Sequence, residues 1–190
     1  DIIREEAEHS MMSMAGLDDE ADTFAPVFKS TQQRSVWLGV NLITALFAVA
    51  VSSMFEDILG QLAILAILNT LVPSMGGVAG NQTLTLVIRG MALGHIGESN
   101  ARTLLYKELA VGFLNGIIWA LLIATVVAIW KQDFMLGSVI AFAMLMNLTA
   151  AGIAGVTIPL FLKKLDIDPA LAGSVILTTV TDVVGIFAFL

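Results

Sequence analysis

Hydrophobic residues dominate five stretches of this chain, at about 36–55, 58 into the 80s, 104–130, 134–162 and 170–190. Crossing ~30 Å of hydrocarbon takes about 20 apolar residues in a helix, and each stretch meets that length. The second is too long for one straight span. Pro73, Gly76, Gly77 and Gly80 interrupt it and predict a kink or an unwound turn. Ahead of the spans, residues 1–17 alternate at helical period. Ile3, Ala7, Met11 and Met14 share one face, Asp1, Glu5 and Glu8 line another, and Gly16 suits a C-cap. The expectation is an all-α membrane protein: five transmembrane helices per subunit (34–190), preceded by an acidic amphipathic cytosolic helix and linker (1–33).

Composition agrees. The chain is 57% apolar and 13% charged, against about 25% charged in soluble domains. It has no cysteine, so neither disulfides nor thiolate metal sites enter. The net charge of −7 is concentrated at the N-terminus, where Asp1, Glu5, Glu6, Glu8, Asp18, Asp19, Glu20 and Asp22 face Arg4 alone. Nothing in that distribution suggests nucleic-acid binding. Placing the N-terminus inside puts Arg4, Lys29, Arg34, Arg89, Arg102, Lys107, Lys163 and Lys164 on the cytosolic side and leaves Lys131 outside. That asymmetry orients the chain in the cell inner (plasma) membrane with a cytoplasmic N-terminus. The chain opens on Asp1 with no signal-peptide pattern and reads as a piece of a longer protein. No internal repeat is visible.

Candidate chemistry centres on Asp182, the one acid in the last apolar stretch. A carboxylate at the bilayer centre costs at least roughly 2.5–3.5 kcal/mol, so it is expected to face water, a cation or a partner chain. Helical spacing stacks Ser174, Thr178, Asp182 and Gly185 into a stripe suited to a small, hard, oxygen-loving cation. One Asp half-neutralises a divalent ion, and a twofold dimer with its axis along the pore supplies two. Asn147, on the oppositely running fourth span, reaches a similar depth. It either lines the same midplane cavity or ties helices together, as Asn41, Asn69 and Asn115 are also expected to do. At the cytosolic mouth, Glu5, Glu6, Glu8 and Asp168 form either a solvated acidic face or a divalent-cation site. Asp168-Pro169 also reads as a helix N-cap followed by proline at the first helical position. His9 and His95 stand too far from other ligands for zinc or copper. With Asp182 counted as the single acid within the spans, an aspartyl dyad for intramembrane proteolysis is not supported.

Several blocks together carry a family resemblance: Gly76-Gly77-Val78-Ala79-Gly80-Asn81-Gln82-Thr83, Val87-Ile88-Arg89-Gly90, Pro159-Leu160, Asp168-Pro169-Ala170-Leu171-Ala172, and Thr178-Thr179-Val180-Thr181-Asp182-Val183-Val184-Gly185. In this order, across nearly all of 34–190, the chain resembles the membrane domain of the MgtE magnesium channels. The resemblance implies a homodimer of five-span subunits, a pore between them, and hydrated Mg²⁺ bound by the fifth-span Asp. It also implies that the charged helix before the first span acts as a plug, closed by Mg²⁺ held between its acids and the pre-span Asp. Those positions look like Glu5, Glu6 or Glu8 and Asp168. Upstream cytosolic regulatory domains, usual in the family, are absent from this sequence. Val78 stands where the family usually has Asn, His95 where it usually has an acid, and Ser174 where relatives are often more polar. The expected activity is Mg²⁺ entry through a channel or facilitator. A proton- or sodium-coupled carrier of broader selectivity (Mg²⁺, Mn²⁺, Co²⁺) is the alternative.

Overall fold

A computed structural model describes residues 9, 11–14, 27–56, 68, 70–97 and 100–189 of the chain. Five helices run through them: α1 Val27–Ser53, α2 Leu71–Ala92, α3 Ala101–Lys131, α4 Phe134–Lys164 and α5 Pro169–Phe189. No strand occurs among the described residues. Among the described residues, four stretches are long and apolar enough to cross a bilayer: Ser30–Ser53 within α1, and α3, α4 and α5 in full. α2 does not reach that mark, because Pro73, Ser74, Asn81, Gln82 and four glycines dilute it. Residues 57–67, the start of the expected second span, lie outside the described residues.

Of the kink or unwound turn expected at Pro73 to Gly80, the unwound turn is not present. α2 is helical throughout, because Pro73 falls in its first turn, where a missing backbone N–H costs little.

α4 is the central post. It carries buried residues along its whole length, from Gly137 to Leu162, and it packs against α2, α3 and α5. Small residues let backbones approach, as membrane bundles require where lipid removes any hydrophobic drive between helices. At Gly152 an added Cβ would stand 2.7 Å from the Glu108 carbonyl oxygen, so only glycine permits this approach of α3. The α3–α4 turn is two residues long. Gln132 takes a left-handed conformation (φ 53°), and the Asp133 carboxylate caps α4 by accepting from Met135 N at 2.9 Å and Leu136 N at 3.0 Å. α1 leans chiefly on α5, and Phe55, just past its end, meets Phe187 edge-on at 5.5 Å. Most of its remaining apolar side chains are exposed.

The described N-terminal residues dock on the end of the bundle where α5 begins. Met14 packs against the cluster of Leu84, Ile88, Ala154, Ala170 and Leu177, and Ser13 is buried beside it. Of the amphipathic face expected there, the described residues include Met11 and Met14, and these two part. Met14 faces the bundle while Met11 is 65% exposed, so the docked side includes Ser13 and not Met11. Ile3 and Ala7 lie outside the described residues.

Candidate cation site

α5 has two distinct faces. Ala170, Gly173, Leu177, Thr181, Gly185 and Phe189 are buried against the bundle. Ser174, Thr178 and Asp182 occupy the adjacent face and are half-buried. The stripe read from spacing is therefore split. Three of its members share the open face, while Gly185 belongs to the packed one, where a Cβ would stand 2.9 Å from Pro73 Cγ and 3.2 Å from Asn147 Nδ2.

On the open face, hydroxyl protons are directed inward. Thr178 Oγ1 donates to the Ser174 carbonyl at 2.8 Å, and Thr179 Oγ1 donates to the Val175 carbonyl at 2.9 Å. A threonine oxygen whose proton is engaged by its own helix keeps its lone pairs for a water or a cation. Asp182 itself makes no hydrogen bond or ion pair among the described residues, although buried polar groups are normally satisfied. Nor does any group of three or more His, Cys, Asp or Glu assemble a metal site among the described residues. What the chain provides is one carboxylate with hydroxyl oxygens a turn and two turns below it.

Asn147 does not share that face. It is fully buried, and its Nδ2 donates to the Val72 carbonyl of α2 at 2.7 Å. Its Oδ1 has no partner among the described residues. Of the two roles open from sequence, helix tie and cavity lining, the structure supports the tie. Asn41 and Asn115, expected to act likewise, are exposed and make no interhelical side-chain bond among the described residues. Asn69 lies outside them.

Asp168 caps α5 as its sequence suggests, with Oδ1 accepting from Ala170 N at 2.9 Å. Its other oxygen, Oδ2, lies 3.4 Å from His9 Nε2. His9 is thus not isolated, as linear spacing had implied, but stands opposite a carboxylate far along the chain. Glu5, Glu6 and Glu8 lie outside the described residues.

Counting acids along the spans overlooked Glu108. It lies inside α3 and is only 4% exposed, so Asp182 is not the single acid within the membrane helices. Glu108 Oε2 accepts from Thr83 Oγ1 at 3.0 Å, and Oε1 lies 3.1 Å from Lys107 Nζ. Its position one residue after a lysine and near a span end masked it as a boundary residue. The available signal was an acid flanked by apolar residues, Leu109 to Leu114.

The MgtE family model, described as a divalent cation transporter, matches residues 69–190. The chain belongs to the MgtE family. Its relatives include "Magnesium transporter MgtE" of Enterococcus faecalis, 32% identical over 189 residues and matching 100% of this chain and 42% of the relative. The Bacillus subtilis protein of the same name is 31% identical over 99% of this chain and 42% of its own length. The one from Thermus thermophilus is 29% identical over 81% of the chain and 34% of its own length. The chain thus spans about two fifths of the first two relatives. The MgtE match contains all of α2 to α5, and with them Glu108, Asn147, Asp168 and Asp182. With its several candidate spans, this MgtE chain is a multi-pass membrane protein.

Proposed function

We propose that residues 34–190 form the pore domain of a Mg²⁺ channel and that residues 1–33 form its cytosolic plug. The reading has five spans per subunit, with α2 completing the set inside the bundle, and a cytoplasmic N-terminus in the inner (plasma) membrane. The observation that carries it is Asp182, without a partner among the described residues, on a half-buried, hydroxyl-bearing face of a membrane helix. A bare carboxylate there is too costly to leave against lipid. A second subunit brought against the same face places two such carboxylates across one pathway, as a C₂ homodimer would. Two acids balance one divalent ion. Mg²⁺ surrenders its waters reluctantly, so the ion passes hydrated, its waters donating to the carboxylates and to the oxygens of Ser174 and Thr178.

Entry needs no coupled energy source. Two charges moving down 100 mV release about 4.6 kcal/mol. At the cytosolic mouth, Mg²⁺ held between Asp168 and one of Glu5, Glu6 or Glu8 would draw the N-terminal segment onto the seat that already receives Met14, and so close the path. This gives Mg²⁺ a regulatory role beside its role as cargo. The family's names support Mg²⁺ as the ion.

Liposomes loaded with a Mg²⁺-sensitive dye test the reading. Parent protein is expected to admit Mg²⁺ at fixed pH, driven by a K⁺ diffusion potential, and Asp182→Asn is expected not to. Flux that requires a proton or sodium gradient would replace the channel by a coupled carrier. Parallel runs with Mn²⁺, Co²⁺ and Ca²⁺ set its selectivity.

A further inference from the structure

Glu108 is a buried carboxylate in a membrane helix that the cation pathway does not use. Both of its oxygens are engaged, one by Thr83 on α2 and one by its neighbour Lys107. α2 and α3 make little other contact, because α4 stands between them. They meet where α4 is narrowest. A Cβ on Gly152 would stand 2.7 Å from the Glu108 carbonyl oxygen, and one on Gly155 would stand 2.7 Å from Thr83 Cβ. The residue after Thr83 is Leu84, fully buried in the cluster on which Met14 packs. One turn on, Ile88 belongs to the same cluster. Thr83 therefore grips α2 from behind the surface that receives the N-terminal segment.

We propose that Glu108 is a positioning residue for closure: its hydrogen bond to Thr83 sets the rotation of α2 so that Leu84 and Ile88 form the seat for Met14. The inference rests on reading the N-terminal segment as a plug. A tie needed only for stability is served as well by an apolar pair, since burying a charge is costly. A directional, charge-assisted bond instead selects one rotation of the helix.

The chain has no cysteine, so Met14→Cys introduces a single thiol whose maleimide labelling reports undocking. In the full chain in liposomes, Thr83→Val is expected to speed that labelling about threefold or more, the effect of one hydrogen bond on an equilibrium. Thr83→Ser, which keeps the donor, is expected to label at the parent rate, and Glu108→Gln at a rate between parent and Thr83→Val. Parent-rate labelling in both Thr83→Val and Glu108→Gln overturns the proposal, as does Thr83→Ser labelling as fast as Thr83→Val. Should Thr83→Val fail to fold, Glu108→Gln against the parent decides alone. Mg²⁺ flux is measured on the same samples. A parent without flux strikes at the channel reading and leaves the labelling result standing, whereas unchanged labelling beside normal flux strikes only at the role of Glu108.

Discussion

Asn147 reaches from α4 to the Val72 carbonyl of α2 at 2.7 Å, through a hollow that exists because residue 76 is glycine. A Cβ there would stand 2.7 Å from Asn147 Cγ. The amide and the glycine are complementary, and Gly185 of α5 closes the same junction from the other side. Three helices are thereby held in register beside the face that carries Asp182.

Gly76→Ala should accordingly lower stability by about 1–3 kcal/mol, the usual cost of forcing a methyl into a packed site. Thermal melts in detergent give the measure. Combining it with Asn147→Ala should recover part of the loss, since contacting residues are non-additive. Strict additivity of the two losses would show that the hollow is not shared.

Asp182→Asn should reduce Mg²⁺ flux by at least about tenfold, corresponding to some 1.4 kcal/mol of lost charge stabilisation. The melting temperature and oligomeric state should stay at parent values, because Asp182 makes no bond among the described residues that the substitution could break. Flux assays beside light scattering check both parts. Parent-level flux in a well-folded variant would remove Asp182 from the pathway.

Gly185→Ala should behave in the opposite way to Asp182→Asn. Its methyl would press on Pro73 and Asn147, so it should lower the melting temperature. The remaining folded protein should keep the parent's preference among Mg²⁺, Mn²⁺, Co²⁺ and Ca²⁺. Altered selectivity without loss of stability would return Gly185 to the ion's path.

Asp168 has two separable duties. Asp168→Asn keeps a good N-cap and should leave stability nearly unchanged, while Asp168→Ala should cost about 0.5–2 kcal/mol. Both remove the negative charge that faces His9. Both should therefore speed proteolysis of residues 1–22 in millimolar Mg²⁺, where the parent is protected relative to chelator. Equal cleavage of the parent with Mg²⁺ and with chelator would instead favour a solvated acidic face.

By itself the sequence determined what depends on local composition and period. The spans read at 104–130, 134–162 and 170–190 match α3, α4 and α5 within a few residues, because twenty apolar residues in lipid have little alternative to a helix. Asp168-Pro169 announced the start of α5, since cap chemistry is decided within one turn. Asp182 was legible as a polar exception inside such a run. Tertiary structure alone decided which way each residue points. Adjacent residues on a helix differ by about 100° in direction, so Thr181 and Asp182 fall on different faces and only the neighbours say which is packed. That is why Gly185 left the stripe for the junction with Pro73 and Asn147, and why Met14 docks while Met11 does not. Glu108 was hidden for a related reason. Its burial comes from Thr83, twenty-five positions earlier, and from the glycines of α4, and no pattern within one helix encodes contacts of that range.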